Sequence, residues 1–207
     1  MFPDLLSLCQ SLENTFAEIP ESRRVRLNRL SGYVRHRIDA GWIARLTAIC
    51  THNSRRSHLT QLWLAMAADF YGIPNVETYS GGTEATAFHP NAVAALRRAG
   101  LETDREDAEG QNPIYRVRWR EDMSPYRAFS KVWNAAPNPR KDFAAVMVCS
   151  EADAACPVVA GCDLRVALPF EDPKASDGTP REAAAYDASV QEIGREMLYV
   201  MHRAGQG

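Results

Sequence analysis

Apolar residues recur at helical spacing through the first forty positions. Leu5, Leu8, Leu12 and Phe16 fall three and four apart, the stripe of one helix face. Leu27, Leu30, Val34 and Ile38 repeat it after Pro20-Glu21, a helix start, and run up to Gly41. The pattern then changes. Residues 42–49 are a short, largely apolar run, which predicts a first buried strand. Leu59, Leu62, Trp63, Met66 and Phe70 mark a helix stopped by Gly72 and Pro74. Residues 76–80 read as a second strand closed by Gly81-Gly82, and 91–98 as a helix ended by Gly100. Strand, loop, helix, strand and helix in this order predict a parallel sheet with right-handed crossovers.

The second half is less regular. Residues 102–112 are acidic and polar, which predicts a loop. Residues 115–119 alternate in strand fashion and can pair with 126–133 as a hairpin. Residues 143–148 form an apolar strand ending at Cys149, and 164–168 a last strand ending at Pro169. A helix over 180–203 closes the chain, with Ala184, Val190, Ile193, Met197 and Met201 among its inner positions. The expected architecture is an open, mainly parallel, doubly wound α/β sheet over 42–207, carrying a β-hairpin insertion and preceded by a helical N-terminal extension over 1–41. A length of 207 residues suits one domain with an extension better than two full domains.

Composition narrows the function classes. A net charge of −2 argues against a general nucleic-acid binder. No apolar run approaches the roughly 20 residues of a membrane span. The start, Met1-Phe2-Pro3-Asp4, lacks a signal peptide's basic start and long apolar stretch, so a cytoplasmic protein is expected. The cysteines number 5, an odd count that reads as chemistry or core filling rather than a disulfide framework. Cys9 and Cys162 read as structural. His36, His58, His89 and His202 are scattered, without metal-ligand spacing. The second helix carries Arg23, Arg24, Arg26, Arg29, Arg35 and Arg37, a solvated face on a packed extension or else a docking surface for an acidic partner or membrane.

The chemistry concentrates in Cys50-Thr51-His52-Asn53-Ser54-Arg55-Arg56-Ser57, between a predicted strand and a predicted helix. Unpaired N–H groups at a helix start, aided by the helix dipole, bind anions. The same field favours thiolate over thiol, making Cys50 a candidate nucleophile; the bland alternative is a small buried side chain at a strand end. Arg56 offers a planar fork to two oxygens of a tetrahedral oxyanion. Ser57 can hydrogen-bond the thiolate, and Asn53 can brace the loop through the backbone. Thr51, His52, Asn53, Ser54, Arg55 and Ser57 complete the substrate-binding set.

Two further features converge on Cys50. Asp172-Pro173 follows the last predicted strand, and active sites of open parallel sheets gather at the carboxyl ends of strands. Asp172 can therefore act as general acid, although Asp-Pro alone is an ordinary turn. Cys149 and Cys156 are separated by two helical turns, which places them on one helix face about 10 Å apart. A disulfide needs Cα atoms within about 7 Å, so forming one requires local unwinding. Cys162 is a rival partner by its closeness to Cys156.

These residues resemble the phosphate-binding loop of low-molecular-weight protein tyrosine phosphatases, and more closely that of thioredoxin-coupled arsenate reductases. The latter share the fold and commonly have Cys-Thr-Gly-Asn-Ser-Cys-Arg-Ser. Cys149 to Pro157 is similar to the reductases' redox segment, and Glu171-Asp172-Pro173 to their acidic motif. The resemblance covers roughly 43–203. It implies that Cys50 attacks arsenate held by Arg56, that Asp172 protonates the departing oxygen, that Cys149 attacks Cys50, and that Cys156 then takes over the disulfide for reduction by thioredoxin. It implies no bound cofactor. The phosphatase version stops at a cysteinyl phosphate on Cys50, hydrolysed with help from Asp172. His52 replaces the usual Gly and Arg55 the usual Cys, which predicts a more positive mouth. Lys174-Ala175 stand where the tyrosine phosphatases have aromatics that clasp the substrate ring. A non-catalytic oxyanion- or partner-binding module is the remaining reading.

Overall fold

A computed structural model describes residues 1–106, 110–155 and 158–206. Two helices come first, α1 (Pro3–Glu13) and α2 (Glu21–Asp39), with a short 3-10 helix at Phe16–Glu18 between them. Pro3 starts α1, where a missing N–H costs nothing. Then follow β1 (Ala44–Cys50), α3 (Arg56–Phe70), β2 (Val76–Gly82), α4 (Pro90–Arg98), β3 (Glu102–Arg105), β4 (Tyr115–Arg118), β5 (Tyr126–Ala128), β6 (Phe143–Met147), α5 (Ser150–Ala155), β7 (Cys162–Ala167), a 3-10 turn at Pro173–Ser176 and α6 (Glu182–Gly205).

The main sheet has the order β2-β1-β6-β7, and all three pairings are parallel. The parallel sheet expected from the element order is therefore present, with β1 in an inner position. Inner strands covered on both faces read as continuous apolar runs. From Leu46 to Cys50 every β1 residue is buried, as is every residue of β6. Trp42, expected at the start of the first strand, stands outside it and is 54% exposed.

α1 and α2 share the core of the sheet domain. Leu5, Cys9, Leu27, Leu30 and Val34 are fully buried in the same cluster as Leu46, Ile49 and Trp63. α3 and α6 pack closely at Gly194, where an added Cβ would sit 2.7 Å from the Trp63 ring. The expected inner positions Val190, Ile193, Met197 and Met201 are buried, but Ala184 is exposed and Tyr186 takes the inward place. The arginines of α2 divide. Arg26 and Arg29 are exposed, while Arg23 pairs with the buried Glu196 at 2.7 Å and Arg35 holds carbonyls at the end of α6.

Two expectations need correction in the insertion. Residues 102–105, read as loop, form β3, which pairs antiparallel with β4. Only Thr103 among them is buried, so this edge strand lacks the apolar alternation that marks strands in sequence. The second arm of the hairpin ends at Ala128 instead of 133. The chain then turns to the main sheet, where Val132 bridges Gly82 in parallel fashion.

Candidate active site

β1 delivers Cys50 to the carboxyl edge of the sheet, and α3 begins at Arg56. The carbonyls of the intervening loop are held from outside. Thr83 N–H donates to Cys50 O, Glu84 N–H to Thr51 O, Thr86 Oγ1 and Ser130 Oγ to His52 O, and His89 N–H to Ser54 O. With the carbonyls anchored outward, the N–H groups of His52 to Arg55 meet no acceptor among the described residues, and they join the free N–H groups of the first turn of α3. This is the lining an oxyanion requires.

Asn53 sets the loop's shape. Its φ is 45°, a region that asparagine tolerates better than most residues. His52, which occupies the resembled families' glycine position, is not among the positive-φ residues, so it carries no such strain. Asn53 Oδ1 accepts the Lys131 N–H at 2.8 Å, and this fixes the amide so that Nδ2 donates to Ser57 Oγ at 2.8 Å. Ser57 Oγ lies 3.1 Å from Cys50 Sγ. Since the serine oxygen already receives the amide proton, its own proton is free for the sulfur. Ser57 is thus arranged to donate to a thiolate at Cys50, which is 4% exposed.

Cys50, His52, Ser54, Arg55, Arg56 and Asp172 line one small pocket. Arg56 donates through Nη1 to Phe170 O at 2.9 Å and through Nη2 to Asp172 Oδ2 at 2.7 Å. Asp172 caps the 3-10 turn by accepting Lys174 N–H on Oδ1. Arg55, expected to make the mouth more positive, spends Nε on Tyr186 Oη at 2.7 Å and Nη2 on Asp177 Oδ2 at 3.1 Å. His52 turns outward and lies 2.9 Å from Glu84.

Cys149 is fully buried beyond the end of β6. Ile49 pairs with Met147, so Cys149 stands level with Thr51, and Thr51 Oγ1 lies 3.5 Å from Cys149 Sγ. The sulfur also accepts Ala152 N–H at the start of α5. Cys156, the second member of the expected cysteine pair, and Pro157 lie outside the described residues. Cys162 pairs with Phe143 at the opposite end of the strands, about 20 Å from the level of Cys149 at roughly 3.3 Å per residue. As a resolving thiol it is out of reach in this fold. No group of residues able to hold a metal ion occurs among the described residues.

Several neighbours of the site had no sequence signal. Ser130 and Lys131 lie within the predicted second hairpin arm but past the end of the actual strand at Ala128, and Asp177 comes from a turn. Tyr186 could have been found, because it lies four residues before Val190 on the same helical stripe. The local electrostatics are shaped by burial. His58, stacked on Phe88, is pushed well below its ordinary value by burial and by the Lys131 ammonium. Burial also lowers Lys131 to about 8 and raises Tyr186 to about 12. Burial tends to raise Asp177, but the Tyr186 hydroxyl and Arg55 outweigh it and hold the carboxyl below its usual range.

A cysteine at a strand end, an outward-tied loop and an arginine at the helix start define a cysteine-based oxyanion enzyme. No family model matches the chain. Among curated proteins it is similar to an arsenate reductase of Bacillus licheniformis, 26% identical over 151 residues that span 72% of this chain and 88% of the relative. It is likewise similar to an arsenate reductase of Bacillus subtilis, 27% identical with the same coverage of both chains. Solved structures share the fold at low identity. Primo-1 superposes with a TM-score of 0.52 at 11% identity, covering 77% of this chain and 97% of that one. An arsenate reductase in its oxidised state gives 0.50 at 14%, covering 78% and 99%. A low-molecular-weight protein tyrosine phosphatase from Bacillus subtilis gives 0.50 at 14%, covering 77% and 96%. The chain is thus similar in sequence to arsenate reductases and shares the fold of low-molecular-weight protein tyrosine phosphatases and arsenate reductases.

Proposed function

We propose that the protein reduces arsenate by a cysteine relay that starts at Cys50. The Cys50 thiolate attacks arsenic(V) bound by the loop amides and Arg56, and the expelled oxygen takes its proton from Asp172. The Cys149 thiolate then attacks Cys50 Sγ. The sulfur–arsenic bond breaks, its electron pair stays with arsenic, and arsenite leaves while the two sulfurs are oxidised to a disulfide. Cys156, by its place in the sequence, takes over the bond with Cys149, and the dithiol of thioredoxin reduces it.

One observation carries this reading over simple phosphate ester hydrolysis: a second buried thiol, Cys149, lies against Thr51, the residue next to the nucleophile. An ester hydrolase has no use for it. The hydrolase is the second reading, favoured by the Asp172 carboxyl in the same pocket as Cys50 and Arg56. In that case Cys50 carries a phosphoryl group that water removes.

The deciding assay couples arsenate addition to thioredoxin oxidation. The reductase reading expects arsenate-dependent oxidation in wild type and its loss in Cys149→Ser and in Cys156→Ser, with aryl phosphate hydrolysis surviving in both. Rapid hydrolysis without any arsenate-dependent oxidation selects the phosphatase. Either activity surviving in Cys50→Ser overturns the whole assignment.

A further inference from the structure

The loop's two consecutive arginines grip the two ends of one segment, 170–177. Arg56 takes its beginning, through Phe170 O and Asp172 Oδ2. Arg55 takes its end, through Asp177 Oδ2. Between these ends the chain makes a single 3-10 turn, for which Asp172 is the N-cap and Asp177 the C-cap, with Asp177 N–H bonded to Lys174 O. One short turn of helix moves as a unit, so holding Asp177 also holds Asp172.

The second grip is built more fully than an isolated ion pair. Tyr186 Oη accepts from Arg55 Nε at 2.7 Å and donates to Asp177 Oδ1 at 2.8 Å, which closes a three-membered ring of contacts. The side chains of Arg55 and Asp177 are 11% and 29% exposed. The His89 ring stacks on Tyr186, with centroids 5.8 Å apart and 17° between planes.

The two grips differ in what else they serve. Arg56 has five N–H donors, two of them on the segment, and shares the rest with an oxyanion in the loop, so its hold on Asp172 is divided once an anion binds. Arg55 puts its bonds on Tyr186 and Asp177, which makes it the steadier tether between loop and segment. We propose that Arg55, with Asp177 and Tyr186, is a positioning latch that keeps the 172–177 turn against the oxyanion loop so that Asp172 can serve as general acid. The latch rests on the assignment of Asp172 as that acid. In the step it supports, the sulfur–phosphorus bond forms as the phosphorus–oxygen bond breaks, and the leaving oxygen keeps the electron pair and takes the Asp172 proton.

The test uses a series of aryl phosphates whose phenols grow progressively more basic. With a working acid, rate depends weakly on the phenol. Asp172→Asn should steepen that dependence, slowing phenyl phosphate about 100-fold more than p-nitrophenyl phosphate, within the usual range for general acid catalysis. Arg55→Met should steepen it in the same direction, about 10-fold, and Tyr186→Phe less, because it loses only the hydroxyl. Alkylation of Cys50 by iodoacetamide, and its protection by inorganic phosphate, should be unchanged in Tyr186→Phe, since Tyr186 is not among the residues that line the Cys50 pocket. Hydrogen exchange gives a readout independent of turnover. With phosphate bound, the amides of Lys174 and Asp177 should exchange at least about 10-fold faster in Arg55→Met than in wild type. A steep dependence in Asp172→Asn with a wild-type profile in Arg55→Met overturns the latch and leaves the acid in place. A flat profile in Asp172→Asn overturns the acid assignment and the latch with it. Unchanged exchange overturns the latch whatever the substrate.

Discussion

Replacing Lys131 with methionine should stabilise the protein at neutral pH. Lys131 is 7% exposed, and among the described residues its ammonium faces no carboxylate: Nζ donates to Phe129 O at 3.1 Å and sits 4.4 Å from the centre of the Phe129 ring. Burial lowers it from 10.5 to about 8. At about 1.4 kcal/mol for each tenfold change in the protonation equilibrium, keeping the charge inside costs about 3 kcal/mol at pH 7. The sign follows from proton counting. Below pH 8 both folded and unfolded chains hold the proton and the full cost is present. Between 8 and 10.5 the unfolded chain holds the proton and the folded chain has lost it, so stability rises with pH as the cost disappears. Methionine conserves the length of the stem and removes the charge. Its advantage over wild type should be about 2 to 3 kcal/mol at pH 7 and shrink by about 2 kcal/mol at pH 10. Urea unfolding of both proteins at both pH values measures this, since groups that do not feel Lys131 cancel in the difference and His58, which does, is held in its neutral form at both pH values. The oxyanion loop should be undisturbed, because Lys131 holds Asn53 through its backbone N–H. A difference that is the same at pH 7 and pH 10, or a variant less stable than wild type at pH 7, refutes the reasoning.

Three other outcomes test the site and its supports. Asn53→Ala places a β-carbon at φ 45° and removes the bonds to Lys131 and Ser57; phosphate-protected alkylation of Cys50 should slow about 100-fold, whereas Asn53→Gly, which keeps the backbone shape, separates strain from lost bonds. Gly82→Ala would put a Cβ 2.2 Å from Glu84 O and 2.5 Å from Thr51 O, all backbone, so its unfolding free energy should fall by about 2 kcal/mol or more, while Gly32→Ala, with nothing within 4 Å, should not destabilise. Burial holds His58 well below its ordinary value of 6.5, so below that pH the unfolded chain binds a proton that the folded chain refuses, and stability falls with pH. Between pH 7 and 5.5 wild type should lose about 1 kcal/mol more than His58→Gln in urea unfolding, and equal losses would clear His58 of the effect.

How much of this was legible in advance follows from how each feature is encoded. The helices, the four parallel strands and the Cys50 loop could be read from sequence because each depends on residues a few positions apart. Apolar periodicity reports a buried face directly, and a cysteine between an apolar strand and an amphipathic helix carries its chemistry in its local setting. β3 could not be read this way. Its strand character comes from pairing with β4, and a polar edge strand buries only Thr103. Tyr186 was legible by period, four residues before Val190 on the buried stripe of α6, whereas Ala184, two residues away, falls on another face and is exposed.

The sequence by itself determined the strand–loop–helix setting of Cys50, because strand end, loop and helix start are contiguous. It also placed Asp172 and Cys149 at the same sheet edge, since parallel strands carry their carboxyl ends to one side. The tertiary structure alone decided what the loop's arginines do. Arg55-Arg56 reads as a doubled positive charge, but each guanidinium is spent on a carboxylate more than a hundred positions away, Asp177 and Asp172. The same holds for the brace on Asn53, supplied by Lys131 from the far side of the insertion. Charge and hydrogen-bond partners are set by proximity in space, which periodicity along the chain does not encode.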